Sequence, residues 1–419
     1  MKIATLGLGY IGLPTSIMFA KHGVDVLGVD VQQQVVDSLN QGKIHIEEPG
    51  LQDALEEVMA SGKFKAATKP EKADVFIIAV PTPNKDDQYK SVDLKYVLSA
   101  VEMMIPYLEK NNTVIVESTI APRTTDDHVK PLLEKHGFTI GEDIFLVHCP
   151  ERVLPGQIMH ELIHNNRIIG GVTEACKKAG AKVYSTFVEG ELILTDAKTA
   201  EMSKLMENTF RDVNISLANE LVKICTELDI NALDVIEMAN KHPRVNLHHP
   251  GPGVGGHCLA VDPYFIVAEA PEQAKLIYQA RDINVSMPSF VVENVSKMLG
   301  GLDDKKITVF GLTYKGNVDD IRESPAMDIY QQLKMAGANE VIAYDPHVQK
   351  DWVEKDLKAA VNHSDLVLVL TDHNEFKSVD AADFAGMNTK RIFDTKNIVK
   401  ECPEEITYIN FGNLYKFVK

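Results

Sequence analysis

Three glycines near the amino terminus constrain the fold of this chain more than any other feature. Gly7, Gly9 and Gly12 follow the apolar segment KIATL and precede the helix-like segment TSIMFAKHG. The first glycine permits a tight turn, the second allows close approach to the backbone, and the third lets helix and strand pack closely. A second apolar segment ends in Asp30, about 20 residues further on, as this type of βαβ unit requires. The pattern predicts an α/β fold with a parallel sheet.

The same turn predicts a dinucleotide site. Phosphates bind where a strand gives way to a helix, because the N–H groups there point outward and the helix dipole favours anions. The carboxylate of Asp30 can bind both hydroxyls of a ribose, and no arginine follows it in VQQQ to accept a 2′-phosphate. The sequence therefore favours NAD over NADP. The alternative is a glycine turn that binds nothing.

The rest of the chain predicts two Rossmann-like, doubly wound parallel sheets joined by a central helical domain with a long helix. Short apolar runs alternate with helix-length segments near both ends, whereas the middle lacks strand patterns. In the first part the runs are KIATLGLG, VDVLGVD, VFIIAV, TVIVEST and IFLVHCP; in the last part they are ITVFGL, EVIAYDP, DLVLVL and RIFDTKN. We expect domains at residues 1–195, 196–300 and 301–419. The last has only Gly311 at the turn that corresponds to the first glycine cluster, so we expect it to hold a different nucleotide.

Composition excludes several classes of function. The net charge of −17 disfavours binding to nucleic acid, because such binding depends on phosphate neutralisation over a broad basic surface. The five cysteines are odd in number and show no C-x-x-C spacing, which argues against a disulfide framework and fits reduced thiols. No apolar run is long enough to span a bilayer, and the first residues read as a strand and not as a signal peptide. We expect a cytoplasmic protein without a membrane anchor.

Polar residues follow the predicted strands of the first sheet. Ligands of such sheets bind outside the carboxyl ends of the strands. VFIIAV is followed by Thr82, TVIVE by Ser118 and Thr119, and IFLVH by Glu151 and Arg152. These side chains are candidates for contacts with the cofactor and the substrate. Simple capping is the alternative, and it is the interpretation favoured for Ser118.

Two further segments are candidates for chemistry. Lys204, Asn208 and Arg211 stand at i, i+4 and i+7 and so share one face of a predicted helix, which could bind an oxyanion or simply be solvated. Cys258 lies in GPGVGGHCLAVDP, which is too rich in glycine and proline for a helix interior or a central strand. A thiol in such a loop is available as a nucleophile. It allows a dehydrogenase to oxidise an alcohol twice, through an aldehyde and a thioester, to an acid.

Motifs along the whole chain resemble those of the UDP-sugar 6-dehydrogenase family. They are GLGYIGLP, AVPTP, ESTIAP, CPERVLPG, AEMSKLMENTFRDVN, HPRVN, GPGVGGHC and FGLTYKGNVDDIRESPA, in the order of the family. CPERVLPG together with GGHC is similar to the branch that acts on UDP-N-acetyl-D-mannosamine, and UDP-N-acetylglucosamine is the alternative substrate. The resemblance implies oxidation of carbon 6 to a carboxylate with two NAD and one water.

The resemblance also implies roles for individual residues. Cys258 is implied as the nucleophile, Lys204 as the proton donor and acceptor or as a stabiliser of oxyanions, and Asn208 as a group that orients the substrate. Glu151, Thr119 and Asp262 are implied to hold or activate the hydrolytic water. Contacts with NAD are implied for Tyr10, Ile11, Asp30, Thr82, Thr119 and Arg322. Contacts with substrate are implied for Arg152, Val153, Lys204, Asn208, Arg211, His242, Arg244, Gly253, Tyr314, Lys315 and Lys396. His242 and Arg244 would reach the site of a neighbouring subunit, so a homodimer built on the central helices is implied.

Two rival functions come from other classes. His160, Glu161 and His164 match the H-E-x-x-H pattern of zinc metallopeptidases. The segment NNRIIGG follows at once and leaves no long helix, and the pattern explains none of the glycine or strand-exit features, so we expect no metal. A nucleotide-binding sensor without catalysis is the other rival, since a fold does not imply a function.

Overall fold

The computed structural model describes residues 1–378 and 380–419. The chain folds into two compact units, one of residues 1–207 with 265–271 and the other of residues 208–264 with 272–419. The boundary near residue 207 falls inside a long helix, Ala197–Glu227. The division into three domains stays a prediction.

The first unit contains a large twisted sheet. Its strands are β1 (Lys2–Leu6), β2 (Asp25–Val29), β3 (Phe64–Ala67), β4 (Val75–Ile78), β5 (Asn112–Val116), β6 (Ile144–His148), β7 (Arg167–Gly171) and β8 (Leu192–Asp196). Within the described residues their order is β3-β2-β1-β4-β5-β6-β7-β8. The sheet reverses its winding next to β1, as a doubly wound fold does. This confirms the predicted fold class, with one difference: β7 pairs with β6 in the antiparallel direction.

Helices cover the first sheet. They are α1 (Gly12–Lys21), α2 (Gln33–Asn40), α3 (Leu51–Ala60), α4 (Lys95–Met104), α5 (Lys130–Lys135), α6 (Ile158–His164) and α7 (Glu174–Tyr184). Every residue of β4 is buried, which is typical of a parallel strand whose sheet is covered on both faces. The core holds aliphatic side chains of the strands and of α1, among them Ile3, Ile17 and Ile77.

Long helices follow the first sheet. They are α8 (Ala197–Glu227), α9 (Ala232–Asn240), α10 (Asp262–Glu269) and α11 (Lys275–Leu299). The long helix predicted from the sequence is therefore confirmed as α8. The helix α11 begins at Lys275 and also lies in the region that the sequence predicts to be helical. The short helix α10 was not predicted, because its glycine-rich approach dominates the local pattern.

The second unit contains a smaller parallel sheet. Its strands are β9 (Lys306–Phe310), β10 (Glu340–Tyr344), β11 (Leu366–Val369), β12 (Arg391–Asp394) and β13 (Thr407–Asn410), in the order β10-β9-β11-β12-β13 within the described residues. The helices α12 (Pro325–Met335) and α13 (Leu357–Val361) pack with it. Gly311 follows β9 with a φ of +85°, close to the +95° of Gly7 after β1. The two units thus repeat one local turn geometry.

Among the described helices, none combines the length and the apolar character needed to cross a lipid bilayer.

Candidate active site

The glycine turn after β1 has the geometry that a dinucleotide needs. A Cβ atom added to Gly7 would lie 2.5 Å from the carbonyl oxygen of Ala79, and one added to Gly12 would lie 1.9 Å from the carbonyl oxygen of Gly7. Both positions therefore exclude any side chain. An added Cβ at Gly9 would meet no atom within 4 Å, so the backbone there is open to a ligand. This open surface adjoins the amino terminus of α1, where a pyrophosphate is favoured.

Asp30 lies directly after β2, beside this turn. Its Oδ2 accepts a hydrogen bond of 3.1 Å from the N–H of Leu8, and its Oδ1 accepts one of 3.0 Å from the N–H of Gln32. These bonds fix the carboxylate on the glycine turn. Each oxygen keeps acceptor capacity for a ribose hydroxyl. The residues present therefore fit NAD.

Polar side chains stand at the ends of the neighbouring strands, as expected. Thr82 and Thr119 are both half-buried. The hydroxyl of Ser118 donates a hydrogen bond of 2.7 Å to the carbonyl oxygen of Val80. Ser118 therefore has the structural role that the sequence favoured, and it connects two strand exits.

Glu151 is buried and anchored on both of its oxygens. Oε1 accepts a hydrogen bond of 2.7 Å from the N–H of Arg152, and Oε2 forms an ion pair with Nη2 of Arg167. Arg167 is the first residue of β7 and is itself buried. Its Nε donates to the sulfur of Cys149 at 3.2 Å, and its guanidinium lies 4.4 Å from the ring centre of Tyr184. Arg167 was not predicted as a functional residue. The only signal for it in the sequence was a single charged residue in front of an apolar run.

Glu117 is a second carboxylate in contact with Arg167. Its Oε1 lies 3.1 Å from Nη2 of Arg167 and accepts a hydrogen bond from the hydroxyl of Tyr184. Burial raises the pKa of Glu117 to about 7, although Arg167 acts in the opposite direction. Burial also raises the pKa of the Cys149 thiol to about 12, so this cysteine is not a nucleophile.

The predicted cations of the first unit have different surroundings. Arg152 is held by Glu207, with Nε–Oε2 at 3.0 Å and Nη2–Oε1 at 2.5 Å. No described carboxylate lies within ion-pair distance of the Nζ of Lys204, which is half-buried one turn before Asn208 on α8. Lys204 is therefore the cation of the two that is available to a ligand. Val153 is half-buried in the same loop as Arg152.

Two other buried carboxylates, which the sequence analysis missed, fix the loops of the first unit. Glu48 accepts hydrogen bonds of 2.8 Å from the N–H groups of Gly156 and Ile158, which fastens the loop that contains Val153. Glu201 accepts bonds of 2.6 and 2.8 Å from the N–H groups of Arg123 and Thr125. Glu201 thus ties the loop after Thr119 to the first turns of α8.

Cys258 is exposed in a turn that ends at the first residue of α10. Its carbonyl oxygen accepts hydrogen bonds from the N–H groups of Val261 and Asp262, at 3.1 and 2.9 Å. These two bonds fix the backbone that follows Cys258, and the residue itself is exposed. An exposed thiol on a rigid turn is the arrangement that a nucleophile requires.

Asn208 and Asp262 meet in the second unit, although 54 residues separate them. The Nδ2 of Asn208 donates a hydrogen bond of 2.6 Å to Oδ2 of Asp262, and both side chains are buried. Asp262 begins α10 one turn after Cys258. Asn208 and Asp262, two of the predicted catalytic residues, are therefore hydrogen-bonded to each other, and Asp262 lies one turn after Cys258, the third. Arg211 is exposed on α8.

The glycines of the cysteine loop pack against the segment after β9. A Cβ added to Gly253 would lie 2.8 Å from Cβ of Pro325, and one added to Gly256 would lie 2.8 Å from the ring of Tyr314. Gly251 lies at the start of the loop, and an added Cβ there would be 3.8 Å from Nζ of Lys396. The structure therefore brings three predicted substrate contacts, Gly253, Tyr314 and Lys396, to the loop that contains Cys258. Lys315 is exposed next to Tyr314.

A buried polar network supports this loop, and sequence analysis missed it. Arg281 of α11 pairs with Asp212 of α8 at 2.5 Å, and Asn284 donates to the same carboxylate at 2.8 Å. Asn219 donates to Oδ1 of Asn284 and accepts a bond of 2.9 Å from the N–H of Gly251. These polar residues interrupt apolar helix patterns, which was the only signal in the sequence. The network joins two helices to the beginning of the cysteine loop.

The remaining predicted contacts lie on the surface. Arg322 forms a bidentate ion pair with Asp320, with N–O distances of 2.9 and 2.8 Å. The Nε2 atom of His257 lies 3.7 Å from the same carboxylate. His242 and Arg244 are exposed in the segment after α9. Tyr10 is exposed and Ile11 half-buried in the glycine turn.

Neither histidine cluster has the arrangement of a metal centre. The helix with His160 and His164 is the seven-residue α6, the two rings stack at 4.1 Å, and Glu161 accepts a hydrogen bond from the N–H of Leu154. His373 lies near His347 and Glu375, but its Nδ1 accepts a bond of 2.9 Å from a backbone N–H. That bond leaves the proton on Nε2, which faces Asp345 at 3.2 Å. A metal-bound histidine normally donates from its second nitrogen instead.

Comparison with protein families matches three segments of the chain to one family. Residues 1–188 match the NAD binding domain of the UDP-glucose/GDP-mannose dehydrogenase family. Residues 198–286 match the central domain of that family, and residues 308–401 match its UDP binding domain.

Individual relatives cover nearly the whole chain. A UDP-N-acetyl-D-mannosamine dehydrogenase of Methanocaldococcus jannaschii is 49 % identical over 405 residues, which are 95 % of this chain and 92 % of the relative. One of Campylobacter jejuni is 46 % identical over 396 residues, covering 91 % and 97 %. The solved structure of a UDP-N-acetyl-mannosamine dehydrogenase from Staphylococcus aureus has 65 % identity and a TM-score of 0.94, with complete coverage of both chains. On this basis the chain is an NAD-dependent dehydrogenase and belongs to the UDP-glucose/GDP-mannose dehydrogenase family.

Proposed function

We propose that this enzyme oxidises carbon 6 of UDP-N-acetyl-D-mannosamine to a carboxylate and forms a thioester on Cys258. The observation that carries the proposal is the exposed thiol on a rigid turn, one helical turn from the bonded pair Asn208 and Asp262. The relatives that are UDP-N-acetyl-D-mannosamine dehydrogenases support the sugar, and the match to a UDP binding domain supports the nucleotide.

The proposed chemistry has three stages. Loss of a hydride from carbon 6 and of a proton from its hydroxyl gives an aldehyde. The thiolate of Cys258 adds to the aldehyde carbon, the oxyanion takes up a proton, and loss of a second hydride and of the hydroxyl proton leaves a thioester. Water adds to the thioester carbonyl, the C–S bond breaks, and the thiolate and the carboxylate are released together with the two protons of the water. NAD supplies the hydride acceptor for both oxidations, so each sugar consumes two NAD and one water.

Several side chains of the two units have distinct proposed roles. Lys204 stabilises the oxyanion and exchanges its proton, which suits a cation with no carboxylate partner among the described residues. Asn208 donates to the sugar oxygen and is oriented by its bond to Asp262. Glu151, with Thr119, takes the proton from the hydrolytic water. Because Glu151 is buried and fixed on two sides, its position is set before a ligand arrives.

The cofactor is proposed to bind in the first unit at the glycine turn. The turn of Gly7, Gly9 and Gly12 receives the pyrophosphate, and Asp30 receives the ribose hydroxyls. Further proposed contacts with NAD are Tyr10, Ile11, Thr82, Thr119 and Arg322. The open backbone at Gly9 and the fixed carboxylate of Asp30 support this assignment.

The substrate is proposed to contact residues around the cysteine loop and at the exits of the first sheet. These residues are Arg152, Val153, Lys204, Asn208, Arg211, Gly253, Tyr314, Lys315 and Lys396. Cations among them offset the acidic character of the chain, whose net charge is −17, at the place where a diphosphate would bind.

A homodimer is the proposed assembly. Phe210, Leu217 and Ile224 recur every seven residues on α8, with 61, 50 and 48 % of their surface exposed. A long helix with an apolar row of this kind buries that row against another helix. His242 and Arg244 are exposed after α9 and are proposed to reach the site of the second subunit.

Substrate turnover with matched cysteine variants tests the proposed function. The wild-type enzyme should form two NADH per UDP-N-acetyl-D-mannosamine, measured by absorbance, together with one carboxylate, measured by mass spectrometry. Cys258→Ala should form no carboxylate, whereas Cys402→Ser, which changes a cysteine outside the proposed site, should retain the wild-type rate. Formation of the acid at the normal rate by Cys258→Ala would refute the thioester mechanism.

A parallel assay with UDP-N-acetylglucosamine tests the sugar. We expect a kcat/KM for the manno epimer at least tenfold above that for the gluco epimer. The reverse order would assign the enzyme to the alternative substrate and leave the proposed chemistry intact.

A further inference from the structure

One guanidinium in the first unit is shared by two buried carboxylates. Nη2 of Arg167 lies 3.1 Å from Oε1 of Glu117 and also forms an ion pair with Oε2 of Glu151. The three side chains expose 5 %, 0 % and 7 % of their surface, respectively. With both carboxylates ionised this cluster has a net charge of −1, which is costly in a buried environment. Its protonation therefore affects both acids.

Glu117 is the member of this cluster that changes its charge near neutral pH. Burial raises the pKa of Glu117 to about 7, the charge of Glu151 acts in the same direction, and Arg167 and the hydroxyl of Tyr184 oppose it. Three other titratable groups in this region have pKa values that burial shifts further from neutrality. Burial raises the pKa values of Cys149 and Tyr184, and it lowers the pKa of His148, on the neighbouring strand, to about 3.

We propose that Glu117 is a positioning residue that controls the hydrolytic step by acting on Glu151 through Arg167. This inference rests on the proposed function, in which Glu151 accepts the proton of the attacking water. Glu117 itself, the residue that directly follows β5, is fully buried and contacts neither water nor sugar in this scheme.

The direction of the effect follows from the shared nitrogen. When Glu117 is protonated, Arg167 pairs with Glu151 alone and holds its carboxylate as a fully compensated ion. When Glu117 is ionised, the guanidinium is divided between two anions, so the charge of Glu151 is less fully compensated and its carboxylate is a stronger hydrogen-bond acceptor for the attacking water. Hydrolysis of the thioester should therefore be faster on the alkaline side of the titration of Glu117 than on the acidic side.

Competition between water and hydroxylamine isolates this step. Hydroxylamine attacks a thioester without the help of a general base and gives a hydroxamate, whereas water gives the carboxylate. The ratio of carboxylate to hydroxamate is measured by mass spectrometry from pH 6 to pH 8.5. It reports how strongly general-base catalysis accelerates the attack of water on the thioester. The titration of hydroxylamine itself is common to all variants and cancels when they are compared.

Two variants should change the ratio in different ways. Glu117→Gln is neutral at every pH and should lose the inflection near pH 7, so that its ratio at pH 8 is roughly three- to tenfold below that of the wild type. Tyr184→Phe removes a hydrogen bond that stabilises the ionised Glu117, so its inflection should move to higher pH. This opposite behaviour separates the proposal from simple loss of structure.

A matched control is available in the same unit. Glu201 is also buried, its pKa is also raised to about 7, and it contacts backbone N–H groups instead of Arg167. Glu201→Gln should retain the wild-type inflection. An unchanged inflection in Glu117→Gln, in enzyme that still makes NADH and carboxylate, would overturn this inference alone. Failure of the wild type to make carboxylate would refute the proposed function instead.

Discussion

Buried carboxylates in the first unit act as anchors for loops. Glu201 is 1 % exposed on α8 and accepts two hydrogen bonds from backbone N–H groups of the loop after Thr119. Burial raises the pKa of Glu201 to about 7, and the hydrogen bonds from Thr125 and Arg123 oppose this effect. The ionised form is therefore tolerated only because the loop supplies two donors. The geometry of the loop and the charge of one residue depend on each other.

This linkage predicts a pH dependence of stability. Between the ordinary value of 4.5 and about 7, folded Glu201 holds its proton more tightly than the unfolded chain does. The free energy of unfolding should therefore fall as the pH rises through this window, by about 3 kcal/mol at most, since each tenfold difference in proton affinity is worth about 1.4 kcal/mol. Urea unfolding from pH 4.5 to pH 8 should give a shallower slope for Glu201→Gln than for the wild type. An equal slope in both proteins would contradict the prediction, because Glu117 alone would then account for it.

At the level of elements, two helices hold the cysteine loop through a polar network and not through apolar packing. Asn284 of α11 occupies the centre, since it donates to Asp212 and accepts from Asn219, which in turn binds the N–H of Gly251. Buried hydrogen bonds of this kind favour one arrangement, because another packing would leave the amides of Asn219 and Asn284 without their partners. The position of Cys258 therefore depends on residues that never contact a ligand.

Removal of the central amide should loosen the loop. Asn284→Ala leaves Asp212 and Asn219 each without one partner, so the free energy of unfolding should fall by about 1–3 kcal/mol. Alkylation of Cys258 by iodoacetamide should change in rate at the same time, as measured by mass spectrometry of the labelled peptide. Ser289→Ala on the same helix removes an exposed hydrogen bond to Gln332 and should alter neither quantity. Wild-type stability in Asn284→Ala would show that the network is dispensable.

At the level of the whole molecule, the exposed face of α8 predicts association of two chains. Phe210, Leu217 and Ile224 form one apolar row along the part of the helix in the second unit. Phe210→Glu combined with Leu217→Glu should convert a dimer into a monomer, because two pairs of like charges would be buried across a twofold axis. Analytical ultracentrifugation measures this change. Met335→Glu, at a 78 % exposed position on α12, is the control and should stay dimeric; a monomeric wild type would contradict the proposed assembly.

Local patterns were sufficient for much of the fold. The strands around the glycine turn, the long helix α8 and the second sheet were predicted, because hydrophobic periodicity and glycine conformations act within a few residues. The strands β3, β7, β8 and β13 and the helix α10 were missed. β7 begins with Arg167, whose charge is tolerated only because Glu117 and Glu151 come from other segments. A pattern of neighbouring residues along the chain cannot show that two distant carboxylates neutralise this buried charge.

The sequence by itself determined the spacings on which the predicted chemistry depends: the glycine turn with Asp30, the Lys204–Asn208–Arg211 row and the loop position of Cys258. These follow from spacing along one strand, turn or helix. Only the tertiary structure decided which side chains are partners. The bond between Asn208 and Asp262, the network below Gly251 and the guanidinium shared by Glu117 and Glu151 all join residues distant in sequence. The physical reason is that the cost of burying a polar group depends on the partners that folding brings to it, whatever its neighbours along the chain.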